Sequence, residues 1–238
     1  MEKLRDTREL SKLGLEIYLE EYEFLDLEKL LKPAIEELYL EAGKIQDSFE
    51  KAYNKDHKKD YSELSLITSE LFSIEDKILS IYEMVIVNDY KEFELVLKRL
   101  LKASLDFEEK NFRSFDNLKP LLKSKGIVVS EIKNYNEVNE LRKVNNYIKH
   151  STESKIPNEL KQIIEFRGIE EIAFQNLKEF HNRIKKLRHE FILDLKNKIY
   201  SHLYEYNEER INSIAIKMLK RMDEKHIEIL VNKLSELN

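Results

Sequence analysis

A ten-residue segment, 141–150, gathers polar side chains that could act together on an anion. On a helix that advances by about 100° per residue, five of its side chains fall within an arc of roughly 140°. They supply two cations, two amides and one imidazole, with no carboxylate among them. Histidine is the side chain that most often transfers protons near neutral pH. The five side chains of this polar face are Arg142, Asn145, Asn146, Lys149 and His150.

An ordinary surface helix would explain the same pattern. Leu141, Val144 and Ile148 lie opposite the polar face and can pack against a core. His150 would then serve only to cap the last carbonyl groups of the helix. Val138, one turn earlier, is an apolar residue on the polar face. The pattern alone leaves both interpretations open.

The composition predicts that long helices carry this segment. The 238 residues include only 4 glycines and 3 prolines, so residues that make tight turns are scarce. Charged residues reach 37%, against roughly 25% in an average globular protein. Apolar residues recur at three- and four-residue spacing along nearly the whole chain. We therefore expect an all-α fold, an up-and-down helical bundle over residues 1–238 as a single domain, with a long C-terminal helical extension.

Turn residues and capping patterns predict where the helices begin and end. Pro33 suits a first helical turn, and capping boxes begin at Asp60, Asp89 and Asn134. Gly126 is placed to end a short helix. The predicted helices cover about 2–24, 33–53, 61–85, 90–107, 118–125 and 135–150, followed by a polar loop over 151–158 and by helix over 158–236 with interruptions at Gly168 and near 205–210.

The sequence lacks the residues that several kinds of metal and cofactor site need. Cysteine is absent, which excludes disulfides and thiolate metal sites, and no glycine-rich phosphate loop precedes a lysine. No histidine has a glutamate three residues before it, the spacing of di-iron helical bundles. We therefore expect no metal and no cofactor. No apolar stretch is long enough to span a membrane, and the first residues carry no secretory signal, which predicts a cytoplasmic protein.

The segment and its surroundings resemble the HEPN superfamily. A helix, a capped turn and a second helix follow one another in the family's order, with the residues Gly126-Ile127 and then Leu141-Arg142-x-x-Asn145-Asn146-x-x-Lys149-His150. The usual HEPN motif is an arginine, a polar residue that is often asparagine, three further residues and a histidine. Asn146 and His150 match its second half, whereas Asn145 stands where the arginine is expected. Arg142 lies one turn earlier on the same face, and the HEPN-like core would cover roughly 62–204.

The resemblance implies a metal-independent RNA endonuclease, of the kind found in toxin–antitoxin and antiphage systems. The 2′-hydroxyl of a ribose would attack the adjacent phosphate, with His150 as general base or acid. Arg142 and Lys149 would stabilise charge in the transition state, and Asn146 would donate a hydrogen bond. The family also implies a homodimer that joins two such faces in one cleft, and an antitoxin or other regulatory protein as a further partner.

RNA contacts are predicted on the C-terminal half of the chain. Residues 120–238 hold 22 Lys and Arg against 18 Asp and Glu, whereas residues 1–119 hold 19 against 28. Asn145 and Lys143 are candidate RNA-binding residues beside the polar face, and Arg183 and Lys186 are candidates farther along. The last two belong to a basic cluster that is either an RNA-contacting or a merely solvated surface: Lys178, His181, Arg183, Lys185, Lys186 and Arg188.

Two other arginine–histidine pairs have similar spacing, but neither is expected to be catalytic. Arg183 and His189 point away from each other on a continuous helix. Arg221 precedes His226 at a comparable distance, and in both pairs an apolar residue follows the arginine.

The alternative function is non-catalytic. The chain would then be a helical adaptor or interaction protein, or an inactive HEPN-like module that binds RNA without cleaving it. The asparagine at position 145 and the acidic N-terminal half favour this alternative. Binding that weakens steeply with salt but leaves RNA intact would identify the RNA-binding module.

Overall fold

The computed structural model describes residues 24–54, 61–105, 115–124, 126–151, 155–204 and 206–236. This part of the chain contains α-helices, three short 3-10 turns and no strand, so the predicted all-α fold is confirmed. Residues 2–23 of the first predicted helix lie outside it. The helices are α1 (Leu27–Asn54), α2 (Tyr61–Leu105), α3 (Leu118–Ser124), α4 (Tyr135–His150), α5 (Phe174–Tyr204), α6 (Glu208–Leu219) and α7 (Glu224–Glu236), and the 3-10 turns are Phe115–Asn117, Val129–Glu131 and Ile164–Phe166.

α1 begins well before the position that Pro33 predicts. Asp26 precedes the helix, and its carboxylate accepts the backbone N–H of Lys29 at 3.0 Å, as an N-cap residue does. Pro33 therefore lies inside α1. The predicted helix start at Pro33 is wrong. Proline has no backbone N–H and costs the helix one hydrogen bond, but the cap at Asp26 and the burial of Ile35 outweigh that loss.

α2 is one continuous helix of 45 residues, although the capping pattern predicts a break at Asp89. Asp89 is fully buried, and its carboxylate contacts His181 and Arg188 of α5 instead of capping a new helix. Ile86 and Phe93, on either side of it, are equally buried, so the apolar stripe of the helix continues without interruption.

α3 ends at Gly126 as predicted. This glycine has a φ of +79°, a conformation that other residues adopt only with strain. Its N–H donates to the carbonyl of Lys123 at 3.0 Å, and the N–H of Ile127 donates to the carbonyl of Leu122 at 2.9 Å. These are the paired bonds of a Schellman cap, which satisfy carbonyl groups at the helix end.

The start of α4 differs from the prediction, although its end at His150 is confirmed. Asn134 has a φ of +60° and forms no side-chain capping bond. Its amide donates instead to the carbonyl of Leu187 at 3.2 Å and to Oε2 of Glu190 at 3.0 Å. The capping box predicted here is therefore wrong, because the Asn134 side chain is used to hold the start of α4 against α5.

The chain between Pro157 and α5 forms turns, where a helix is predicted from residue 158. Leu160, Ile163 and Phe166 are buried at three-residue spacing, which is the period of a 3-10 helix. The N–H groups of Ile163 and Phe166 donate to carbonyls three residues earlier, at 2.9 and 3.0 Å. An α-helix therefore begins only at Phe174.

The predicted interruption near 205–210 is confirmed. The side chain of Asn207 accepts the N–H of Arg210 at 2.8 Å and caps α6. A further break precedes α7, where Asp223 accepts the N–H of His226 at 2.9 Å. Neither α6 nor α7 buries any residue, as expected of a C-terminal extension.

The chain forms two compact units. The larger unit comprises the described parts of Glu23–Arg99 and Ser130–Ile192, and the smaller one includes those of Leu100–Val129 and Leu193–Asn238. Among the described helices, none is long and apolar enough to cross a membrane. The core of the larger unit is formed by Ile35, Ile74, Ile78, Tyr82, Ile86, Leu141, Val144, Ile156, Leu160, Ile163, Phe166, Phe174, Leu177, Phe180 and Ile184.

Candidate functional site

The exposed face of α4 is shifted from the predicted polar face, away from Asn145 and toward Lys143. Asn145 is 3% exposed and Val138 is fully buried, and both lie on the same side of the helix as the buried Leu141. Lys143 and Tyr147, which fall outside the predicted arc, are partly exposed. The polar face therefore loses one amide and gains a lysine and a tyrosine.

A pocket of about 470 Å³ opens beside this rotated face. Arg142, Asn146 and His150 line it from α4, and their four-residue spacing places them along one side of the helix. Lys143 and Tyr147 line it from the adjoining turns of the same helix. The opposite wall is formed by the segment that follows α4, through Ser151, Lys155, Pro157, Glu159 and Leu160.

Lys155 is the lining cation that the sequence pattern does not predict. Ile156 beside it is 4% exposed, and its N–H donates to the carbonyl of Glu170 at 2.9 Å. Leu160, four residues on, is also buried. These two anchors fold the segment back along α4 and bring Lys155 to the pocket. The two apolar side chains, in an otherwise polar stretch of sequence, are the feature that could have predicted this fold-back.

Cations outnumber carboxylates in the lining of the pocket. It holds Arg142, Lys143 and Lys155, against one carboxylate, that of Glu159. The Nε of Arg142 donates to Oδ1 of Asn139 at 3.1 Å, one turn earlier on α4, which restricts the guanidinium. Such a concave cationic lining attracts anions, phosphate groups in particular.

The predicted site residues divide into those that line this pocket and those that do not. Lys149 is exposed on α4 but is absent from the lining. Asn145 is buried, and its Nδ2 donates to Oδ1 of Asn146 at 3.2 Å. Asn145 can therefore orient the amide of Asn146, but it does not take the place of the expected arginine in the pocket. Arg183 and Lys186, both on α5, also lie outside the lining.

Arg183 is held by two carboxylates. Its Nε lies 2.6 Å from Oε1 of Glu165, and its Nη2 lies 2.9 Å from Oε2 of Glu140. Hydrogen bonding to Glu165, followed by that to Glu140, raises the pKa of the guanidinium against the effect of its partial burial. Arg183 thus joins the turns before α5 to α4 within the larger unit. Lys186 is exposed.

The basic cluster of α5 is not one continuous surface. His181 and Arg188 are 1% and 3% exposed, so the predicted RNA-contacting or solvated surface is wrong for these two residues. Both side chains contact the buried carboxylate of Asp89 inside the larger unit. The sequence carried no sign of this, because Asp89 lies 92 residues before His181.

The two other arginine–histidine pairs have different surroundings. The ring of His189 packs edge-on against Phe24, with 6.0 Å between ring centroids. His226 forms a bond of 2.7 Å from Nδ1 to Oδ1 of Asp223, the residue that caps α7.

Comparison with known proteins found no matching family model, no matching curated protein and no matching solved structure. The resemblance to the HEPN superfamily stays a prediction from the residues of α4.

Proposed function

We propose that the pocket beside α4 binds an RNA phosphate and that the chain is a metal-independent RNA endonuclease of the HEPN type, acting in toxin–antitoxin or antiphage defence. One observation carries the proposal. Arg142, Asn146 and His150, at four-residue spacing on α4, line a single pocket together with Lys143 and Lys155. Cleavage of a phosphodiester without a metal needs proton transfer and stabilisation of negative charge. An imidazole can transfer the protons, and a guanidinium and an amide can stabilise the charge.

In this reaction the ribose 2′-oxygen forms a bond to the adjacent phosphorus while the bond from phosphorus to the 5′-oxygen breaks. The products are a 2′,3′-cyclic phosphate and a free 5′-hydroxyl. His150 accepts the proton of the 2′-hydroxyl or supplies a proton to the leaving 5′-oxygen. Arg142 and the two lysines stabilise the charge that develops on the phosphoryl oxygens, and Asn146 donates a hydrogen bond to one of them.

The reaction needs both a proton acceptor and a proton donor, and the pocket of one chain contains one histidine. We therefore include a homodimer in the proposal, in which the His150 side chains of both protomers border one groove. Two copies of a cationic patch repel each other by up to about 4 kcal/mol for one close pair at an effective dielectric constant near 20. Apolar contacts around the pocket, with Tyr147 the nearest candidate, and a bound phosphate would offset that repulsion.

A second candidate function is an RNA-binding module without turnover. Asn145 favours it, because the position of the family's arginine is taken by a buried amide that does not line the pocket. The cationic lining would then bind RNA, and no strand would be cleaved.

Incubation of the purified protein with single-stranded RNA in EDTA tests the proposal. We expect cleavage that leaves 2′,3′-cyclic phosphate ends, and none at a linkage whose ribose carries a 2′-deoxy substitution. Intact RNA, bound with an affinity that falls steeply as salt rises, would support the second candidate instead. Cleavage that stops in EDTA and returns with a divalent ion would contradict the metal-independent mechanism.

A further inference from the structure

His181 lies buried between two carboxylates that come from different helices. The residue is 1% exposed. Its Nδ1 lies 2.8 Å from Oδ2 of Asp89 on α2, and its Nε2 lies 3.2 Å from Oε2 of Glu28 in the first turn of α1. Nη1 of Arg188 lies 2.6 Å from the other oxygen of Asp89. These residues belong to the larger unit and are separate from the lining of the α4 pocket.

The contact with Asp89 determines which nitrogen of His181 is available to a ligand. Oδ2 of Asp89 faces Nδ1 of His181, so Nδ1 is used by that contact. Nε2 has no hydrogen-bond partner among the described residues, despite its short distance to Glu28. Nε2 and Oε2 of Glu28 lie 3.2 Å apart, and both are atom types that ligate a metal ion.

Asp26 brings a third ligand atom to the same place. One carboxylate oxygen of Asp26, one of Glu28 and a ring nitrogen of His181 all lie within 4.8 Å of one another. In a tetrahedral zinc site with bonds of about 2.0–2.1 Å, neighbouring ligand atoms are roughly 3.3 Å apart. The 3.2 Å from Nε2 to Glu28 already has this spacing. Asp26 is exposed on the chain just before α1, and the bound ion would draw its carboxylate closer than the 4.8 Å limit of the present cluster.

Neighbouring groups orient the two inner ligands. Asp89 on Nδ1 fixes the ring of His181, as a carboxylate does behind many metal-binding histidines. The hydroxyl of Tyr82 donates to Oε1 of Glu28 at 3.2 Å, which leaves Oε2 directed at His181.

A second pocket, of about 450 Å³, opens beside the cluster; Asp26, Glu28 and Tyr82 line it, whereas His181 is not part of its lining. Lysines compete with the ion for the same carboxylates. Nζ of Lys185 lies 3.5 Å from Oε2 of Glu28, and its side chain is 32% exposed, so it can withdraw into solvent. The pocket lining also contains Lys29, Lys32 and Lys178.

We propose that Asp26, Glu28 and His181 bind one divalent transition-metal ion, with Zn²⁺ as the best chemical match for one imidazole and two carboxylates. The ion joins the first turn of α1 to α5 and stabilises the larger unit. Asp89 and Tyr82 are positioning residues that hold His181 and Glu28. The site is independent of the proposed RNA cleavage, which we expect to continue in a chelator.

Titration of the chelator-treated, desalted full-length chain with Zn²⁺ tests this site. We expect calorimetry to give one ion per chain and thermal unfolding to move to a higher temperature. Glu28→Gln and Asp26→Asn should each weaken binding by more than about tenfold, because each removes a ligand charge. Glu36→Gln is the matched control, since Glu36 lines the same pocket but lies outside the ligand cluster. Circular dichroism of each variant shows whether it is folded.

The ¹⁵N resonances of the His181 ring give a readout that does not depend on mutation. The Nε2 resonance should shift when Zn²⁺ is added at neutral pH. A ring that stays protonated on both nitrogens with and without Zn²⁺ would overturn the proposal, because the cation between the carboxylates would then be a proton. Binding that Glu28→Gln leaves unchanged would overturn it as well.

Discussion

Replacing Lys155 by alanine should weaken RNA binding more than replacing Lys149 does. Lys155 lines the α4 pocket and Lys149 does not, although Lys149 directly precedes His150 on α4. Both lysines are exposed, and the two variants remove the same charge. Long-range attraction to RNA therefore falls by a similar amount in both. The difference between them measures the contact made inside the pocket.

A hydrogen bond from a charged donor contributes roughly 1.5–3 kcal/mol. Lys155 is exposed, so solvent screening places its contribution at the lower end of that range. We expect Lys155→Ala to raise the dissociation constant about tenfold, and Lys149→Ala to raise it by about twofold or less through screened attraction alone. Loss of one phosphate contact should also reduce the dependence of log K on log salt by about 0.7 for single-stranded RNA.

Fluorescence anisotropy with a labelled single-stranded RNA, repeated at several salt concentrations, gives both quantities. Circular dichroism confirms that both variants keep their helices. An equal loss in the two variants, or a larger loss in Lys149→Ala, would refute the placement of the phosphate in this pocket.

Three further predictions concern the oligomeric state and the stability of the chain. Sedimentation velocity at micromolar concentration should show a dimer, and a monomer would contradict a groove shared by two His150 side chains. Gly126→Ala should lower the free energy of unfolding, measured in urea, by about 1 kcal/mol because φ is positive at this residue. Gly43→Ala should raise the same free energy by up to about 1 kcal/mol, because Gly43 lies inside α1 with open space around it and alanine favours the helix. Asp89→Ala should destabilise the chain by roughly 3–5 kcal/mol in the same assay, because it leaves the buried Arg188 without its counter-charge; a loss below about 1 kcal/mol would contradict this.

The features that could be predicted from the sequence are those that local chemistry determines. The scarcity of glycine and proline and the helical apolar spacing predict the all-α fold. Gly126 ends α3 because a single residue with positive φ is enough to form the cap. The end of α4 at His150 and the break before α6 are likewise local.

The features that could not be predicted depend on contacts between distant residues. Asp89 begins a sequence that matches a capping box, yet its partners lie on α5, so α2 continues through it. The sequence pattern places the polar Asn145 on the exposed face of α4. In the structure the residue is buried, and its amide donates a hydrogen bond to Asn146. Only a tertiary structure shows that the face is rotated toward Lys143.

The candidate site also combines features that are visible in the sequence with features that depend on the tertiary structure. The four-residue spacing of Arg142, Asn146 and His150 is visible in the sequence, and these residues line one pocket. Lys155 reaches that pocket only because Ile156 is anchored in the core. The sequence-based prediction therefore found one wall of the pocket and missed the other.

The rate of RNA cleavage by His150→Ala in EDTA, measured under single-turnover conditions, tests whether His150 transfers protons in the α4 pocket. We expect the rate to fall by about 10²–10⁴-fold, because a general acid or base is lost. His226→Ala, which changes an exposed histidine on α7, should cleave at the rate of the unmodified chain. A His150→Ala protein that cleaves RNA as fast as the unmodified chain would contradict the assignment of proton transfer to the α4 pocket.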